Sequence, residues 1–234
     1  MDRTLVIIPT YDERENVQAI ARAIHEEVPE VDLLFVDDAS PDGTGALVNA
    51  RAEGEPRLHL LSRGGKLGLG TAYMDGFREA VRLGAELVIQ MDCDLSHDPA
   101  ALPALVEAAR EADVVIGSRY VAGGGTENWG LGRRLISRGG GLYARAVLGL
   151  PIRDLTAGFV CYRRRVLEAL DLGAVTSQGY GFQIEMKFRV VRAGFRVEEM
   201  PILFVDRRVG QSKMSKRIFL EALGLVWKLR FSAS

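Results

Sequence analysis

From residue 5 to residue 118 the chain repeats one pattern, a short apolar run followed by a stretch with helical periodicity. Residues 5–8, 33–36, 58–61, 87–91 and 114–116 read as buried strands. Between the first two, Val17, Ile20, Ala21 and Ile24 fall at i, i+3, i+4 and i+7, the apolar stripe of an amphipathic helix. Residues 71–83 and 99–110 read as further helices. Strands this short and apolar, alternating with helices, predict an α/β fold: a Rossmann-like, mostly parallel sheet with right-handed crossovers, flanked by helices.

The rhythm changes after Tyr120. Gly123–Gly125 and Gly130–Gly132 bracket a loop, and residues 133–148 read as a helix carrying Arg133, Arg134, Arg138 and Arg145. A strand follows at 159–162, a helix at 181–193, and a strand at 195–205 that ends in Asp206-Arg207-Arg208. Residues 217–231 form a last helix, apolar except for a thin stripe of Arg217, Glu221, Gly224 and Lys228. The expected organisation is one domain over residues 1–216 with a C-terminal amphipathic helix over 217–234. That helix suits either a membrane interface or packing on protein, and its length excludes a span.

The stretch 87–99, LVIQMDCDLSHDP, dominates the functional reading. A buried strand turns acidic at its carboxyl end, where open α/β sheets place their ligands. Asp92 and Asp94, two hard oxygen donors at i and i+2, can hold Mg²⁺ or Mn²⁺ against a substrate diphosphate. Asp98-Pro99 is a helix N-cap pair and explains itself without chemistry, whereas Asp92 and Asp94 do not. His97 is a candidate to support the metal ligands or to cap the helix. The second strand ends in Asp37-Asp38 and the first in Pro9-Thr10-Tyr11, so all three ends should meet on one edge of the sheet. A nucleotide fits there, with Tyr11 over a base and one of the Asp37/Asp38 pair accepting from base or ribose. The plainer alternative is that these aspartates cap the next helix.

A net charge of −1 conceals a division. Residues 1–118 carry 10 Lys/Arg against 22 Asp/Glu, a net −12, and residues 119–234 carry 20 against 9, a net +11. A cation site facing an anion site accounts for this. Arg119, Arg133, Arg134, Arg207, Arg208 and Lys213 lie in or beside loops and are candidates to hold phosphate, which the Arg fork matches. Arg163–Arg165 read as a solvated basic face. No base-stacking aromatic ladder accompanies the charge, which disfavours nucleic acid. No Gly-rich dinucleotide fingerprint follows the first strand, and neither a P-loop nor a nucleophile elbow occurs. No signal peptide or apolar run of spanning length is expected, and Cys93 and Cys161 read as incidental thiols of a reducing cytosol.

The motifs then resemble a known family. Pro9-Thr10-Tyr11-x-Glu13-x-Glu15-Asn16, Val36-Asp37-Asp38-x-Ser40-Pro41-Asp42-Gly43-Thr44, Arg63-x-x-Lys66-x-Gly68-Leu69-Gly70, Met91-Asp92-x-Asp94-Leu95-Ser96-His97-x-Pro99, Gly117-Ser118-Arg119-Tyr120 and Phe204-Val205-Asp206-Arg207-x-x-Gly210-x-Ser212-Lys213 resemble the inverting family-2 glycosyltransferases. Within that family they are similar to the polyprenol-phosphate (dolichol-phosphate) mannosyltransferases. The resemblance implies a glycosyltransferase-A fold and transfer of mannose from GDP-mannose to a polyprenyl phosphate. It implies that Pro9, Tyr11, Glu13, Val36, Asp38 and Cys93 line the nucleotide site, and that Asp92 and Asp94 hold Mg²⁺ or Mn²⁺. Arg119, Arg207 and Lys213 would touch donor phosphates or acceptor, with Arg133 and Ser137 on the acceptor side. Ser96 stands where some relatives carry Gln as a third metal ligand. Cys93 stands where Ala is expected.

The implied acceptor is an anionic phosphate, which attacks C1 without a strong general base, so inversion is expected. The implied setting is the cytoplasmic face of a membrane, reached peripherally, with a membrane-protein partner or a second copy of the chain as candidates. A polyprenyl-phosphate glucosyltransferase using UDP-glucose and a non-catalytic nucleotide-sugar-binding module are the competing readings.

Overall fold

The protein is described from a computed structural model that covers residues 3–206 and 224–231. Among these residues the predicted strands assemble one seven-stranded sheet. In chain order it comprises β1 (Thr4–Thr10), β2 (Asp32–Asp37), β3 (Leu58–Ser62), β4 (Leu87–Gln90), β5 (Val114–Ser118), β7 (Val160–Arg163) and β8 (Val197–Pro201). The spatial order is β3-β2-β1-β4-β7-β5-β8. Every neighbouring pair is parallel except those made by β7, which runs antiparallel to β4 and β5. A second, two-stranded parallel sheet joins β6 (Gly125–Glu127) to β9 (Leu203–Val205).

Helices cover both faces, which is why the strands are apolar on both sides. Helices α1 (Val17–Glu27), α2 (Thr44–Ala52) and α4 (Leu102–Ala108) bury Val17, Ile20, Ile24, Val48, Leu102 and Leu105 against Val6, Ile8, Phe35 and Ile89. On the other face, α3 (Leu69–Arg82), α5 (Leu131–Leu148), α6 (Arg164–Ala169) and α7 (Gly179–Arg192) pack on Leu5, Ile7, Val88 and Ile116. Gly76 lets α3 lie close to the sheet, because a Cβ there would meet Ile7 Cγ2 at 2.7 Å. Residues 224–231 are helical and bury Val226 and Leu229 in this same core. They leave Trp227 and Phe231 exposed and stacked on each other. The helix expected over 217–231 is thus packed on the protein along one face of its described part, while residues 217–223 lie outside the described residues. Among the described residues no helix is long and apolar enough to cross a membrane.

Three predicted elements differ in detail. The strand expected over 195–205 is broken into β8 and β9, in different sheets. At the break Ile202 donates its N–H to Ser118 and accepts from the Gly125 N–H, carrying the chain from one ladder to the next. The helix expected over 99–110 is a 3₁₀ turn followed by α4, because Pro103 lacks the N–H that a continuous helix would use. The loop expected before α5 contains β6. Helices α2 and α6 go unpredicted: α2 buries only Thr44 and Val48, and α6 only Val166 and Leu167, too few to show a period.

Candidate active site

Strand β1 is the switch point of the sheet, with β2 on one side and β4 on the other. Parallel register brings Thr10 beside Asp37 and Ile7 beside Gln90, so the loops leaving β1, β2 and β4 share one edge. Three of the four non-glycine residues with positive φ among the described residues sit in these loops: Asp12 (57°), Ala39 (54°) and Leu95 (59°). These left-handed residues are uncommon conformations, and they cluster where the three loops meet.

The acidic pole follows β4 directly. Asp92 and Asp94 are half-buried, and the left-handed turn at Leu95 brings the Ser96 N–H back to Asp94 Oδ1 at 3.1 Å. His97 is buried and accepts the Asp92 N–H on Nδ1 at 3.2 Å, which places the ring proton on Nε2. Burial holds its pKa below the usual value despite the pull of Asp92 and Asp94, so the ring is neutral. It lies flat on Phe159, at 5.1 Å and 13°. The Tyr73 hydroxyl reaches Asp92 Oδ1 at 3.4 Å, and burial together with Asp92 raises its pKa far above the usual range. Burial, then Glu13 and the two aspartates, do the same to Cys93. A neutral imidazole, a phenol and a thiol therefore surround the carboxylates.

The expected nucleotide-side residues are brought together around the ends of β1 and β2. Glu13 accepts from Asn16 Nδ2 at 2.7 Å, and Lys66 Nζ stands 3.7 Å from the centre of the Tyr11 ring. Pro9 is half-buried in β1 and Val36 buried in β2. Both aspartates of the β2 end serve the fold. Asp37 accepts from Thr10 Oγ1 (2.9 Å), Ser40 Oγ (2.6 Å) and the Ser40 N–H (3.0 Å). Asp38 pairs with the buried Arg63 at 2.6 Å and accepts the N–H groups of Leu67 and Gly68 at 3.1 Å each. Asp38 thus builds the shelf over residues 63–68, explaining the Arg63-x-x-Lys66-x-Gly68 spacing.

Arg119 is not a free phosphate fork in this structure. Its guanidinium is buried in a two-pronged pair with Asp154, Nε–Oδ2 2.7 Å and Nη2–Oδ1 2.7 Å, and Nη2 also donates to Thr156 Oγ1 at 2.8 Å. The Arg119 N–H adds a further bond to Asp154 Oδ2 at 3.0 Å. Burial works against both charges, yet Arg119 holds the Asp154 pKa below its usual value and Asp154 raises that of Arg119. Arg133 lies 4.1 Å over the Trp129 ring and pairs with Asp206 at 2.6 Å, and Ser137 accepts from the Tyr120 hydroxyl at 2.6 Å. Of the basic face expected at 163–165, Arg165 is exposed and pairs with Asp113, Arg164 is half-buried and pairs with Glu168, and Arg163 donates to Ala109 O and Arg110 O. Arg207, Arg208 and Lys213 lie outside the described residues.

The donor set can be tested against a divalent ion. Among the described residues no group of three His, Cys, Asp or Glu side chains stands ready to enclose a metal. Two half-buried carboxylates at an open edge suit Mg²⁺ or Mn²⁺ when substrate phosphates complete the coordination. Asp92 and Asp94 fit that requirement. The Ser96 hydroxyl, expected as a third ligand, is sealed inside the protein without a hydrogen-bond partner among the described residues, and its backbone N–H is what serves the site.

Sequence reasoning passed over Asp154, Lys187 and Gln183. Lys187 left little signal, since Glu185 and Arg189 stand beside it in the same stretch Phe182–Val190. The partnership of Asp154 with Arg119, 35 residues away, left none.

A mostly parallel sheet with helices on both faces and acidic residues at the end of its central strand defines a glycosyltransferase-A type domain. It shares that fold with the crystal structure of glucosyl-3-phosphoglycerate synthase from Mycobacterium tuberculosis in complex with Mn²⁺, UDP and glucosyl-3-phosphoglycerate, at TM-score 0.70 and 18% identity, covering 98% of this chain and 80% of that one. Residues 5–171 match the glycosyl transferase family 2, and the chain belongs to that family. It is 50% identical over 221 residues to an undecaprenyl-phosphate mannosyltransferase of Micrococcus luteus, spanning 94% of this chain and 91% of the relative. It is 48% identical over 232 residues to a polyprenol monophosphomannose synthase of Mycolicibacterium smegmatis, spanning 97% and 88%.

Proposed function

We propose that the protein transfers mannose from GDP-mannose to a polyprenyl phosphate, with inversion at C1. The observation that carries this reading is the Asp92/Asp94 pair at the carboxyl end of β4, in a chain about half identical to enzymes named for polyprenyl-phosphate mannosylation. Asp92 and Asp94 would hold Mg²⁺ or Mn²⁺, and the chemistry such an ion supplies is neutralisation of charge on the departing GDP.

The chain's own residues do the rest. Tyr11, Pro9, Glu13, Val36 and Cys93 line the nucleotide side, on the shelf that Asp38 and Arg63 build. His97 and Tyr73 fix Asp92 from behind. The acceptor phosphate oxygen bonds to C1 as the C1–O bond to the diphosphate breaks, in line and from the opposite face. The nucleophile is already anionic, so no side chain need remove a proton, and no buried group of the site is set up as a base. Arg133 and Ser137 would position the acceptor phosphate, together with Arg207 and Lys213.

The acceptor is a lipid, and α5 supplies a surface for it. Leu131, Leu135, Ile136 and Leu142 are exposed on this helix beside Arg133, Arg134 and Arg138, the composition of an interfacial helix on an anionic bilayer. On this reading the peripheral membrane contact runs over α5, and the exposed rings of Trp227 and Phe231 are further apolar surface.

The test is calorimetric titration with GDP, UDP and GDP-mannose, with Mn²⁺ and then with EDTA, followed by a transfer assay on polyprenyl phosphate. Metal-dependent binding of GDP well above UDP, and a β-linked mannosyl phosphate product, are expected. Preference for UDP would move the reading to a glucosyl-type donor, and binding of neither would refute it.

A further inference from the structure

Lys187 has no part in the chemistry above, yet it is a fully buried lysine in α7, 1% exposed. Its ammonium donates to Ala157 O at 2.7 Å, and Gln183 Oε1 and Gln183 O lie 3.4 and 3.5 Å away. Ala157 belongs to the segment 154–158, which runs from the Arg119–Asp154 pair to the floor of the acidic pole. At Gly158 that floor touches the site: an added Cβ would lie 3.5 Å from His97 Cε1, 3.8 Å from Gln183 Nε2 and 4.0 Å from Asp92 Oδ1. The far end of the segment is also held, since Glu199 accepts the Arg153 and Asp154 N–H groups at 2.8 and 2.9 Å.

A lysine ammonium has three donors and no lone pair. Next to it, Gln183 must present its amide oxygen, which turns the amide nitrogen toward Gly158 and Asp92. One buried cation therefore sets two things at once: the height of the Ala157 carbonyl and the rotamer sense of the Gln183 amide.

We propose that Lys187 is a positioning residue of the active site, a donor-only clamp that seats residues 156–158 and Gln183 against Asp92. The proposal rests on the reading that Asp92 and Asp94 bind the donor diphosphate. A neutral amine has two donors and one lone pair and cannot serve three oxygens, so the clamp loosens when Lys187 loses its proton. The charges facing it are Asp154, Arg119 and Glu199, and burial with Arg119 outweighs the two carboxylates, leaving its pKa lowered to about 7.

The test compares the full chain with K187M, which keeps the volume and removes the donors. Three measurements are made: steady-state transfer, its pH profile, and hydrogen exchange of the peptide over residues 154–160. The clamp predicts a 10- to 100-fold lower kcat, in the range a displacement of about 1 Å produces, with KM for GDP-mannose within about threefold. It predicts that the wild-type kcat declines as pH rises through about 7 and that K187M lacks this limb. It also predicts faster exchange at 154–160 in K187M, with the rest of the protein unchanged. A kcat within twofold of wild type, a shared pH limb, or unchanged exchange overturns the proposal. A wild-type enzyme that transfers no mannose overturns the functional reading instead, and the exchange measurement still decides the clamp. If K187M does not fold, Lys187→Gln carries the same three measurements.

Discussion

Replacing Asp154 by Leu should be among the most damaging single changes in the protein, although the residue lies outside the Asp92–Asp94 loop. Asp154 is fully buried and receives Arg119 through both prongs and its backbone N–H, while Arg119 is itself only 6% exposed. Leucine fills the space but leaves a guanidinium stranded beside a second buried cation, Lys187. Removing one partner of such a pair costs about 3–5 kcal/mol, because the other charge stays desolvated and unpaired. For a chain of this size that corresponds to a melting temperature lower by roughly 6–20 °C. The double variant Arg119→Met/Asp154→Leu removes both charges and should recover most of that loss, since a packed apolar pair replaces a buried ion pair at little cost. Transfer activity should stay low in both, because Thr156 and the segment leading to Gly158 lose their anchor. The pH dependence has a definite sign: the folded Asp154 pKa is depressed, so its contribution is complete above the unfolded carboxylate range of about 3.9 and disappears as pH falls through the lower folded value. Urea unfolding of the four proteins of the cycle measures all of this. A single variant within about 1 kcal/mol of wild type, or a double variant no more stable than D154L, would refute the reasoning.

Other expectations are simpler to state. Asp94→Asn should abolish metal-dependent binding of GDP in calorimetry while leaving the melting temperature within a few degrees of wild type; retained binding would remove Asp94 from the metal site. His97→Phe keeps the stacking on Phe159 but leaves the Asp92 N–H without its acceptor, so a stability loss of about 1–3 kcal/mol and a clear fall in kcat are expected from denaturation and steady-state assays. Lys187 should make the protein more stable as pH rises from about 7 toward the unfolded lysine value of about 10.4, because the unfolded chain binds the extra proton there; this rise should be missing from K187M in melting curves. Leu135→Glu with Ile136→Glu on α5 should weaken sedimentation with anionic vesicles and raise KM for long-chain polyprenyl phosphate, with a short water-soluble acceptor used normally.

The layers of this fold are legible in the chain because local physics decides them. Residues 5–8 and 33–36 are apolar on both faces and short, and such segments are stable only inside a sheet covered by helices. Asp92 and Asp94 stand out in the sequence for a different reason: they close the buried run 87–91, and no cap pair accounts for them as Asp98-Pro99 accounts for Asp98. What only the tertiary structure shows is which polar residues are paired inside the protein. Arg119 and Asp38 read as ligand contacts, yet each is enclosed by a partner distant in sequence, Asp154 and Arg63, and pairing across 35 and 25 positions leaves no periodicity to detect. The division of residues 195–205 between two sheets follows from where Ser118 and Gly125 lie in space. Lys187 shows the same limit: the sequence places it in a helix, but only the packed fold shows that it is buried and provides the Ala157 carbonyl and the Gln183 amide that it holds.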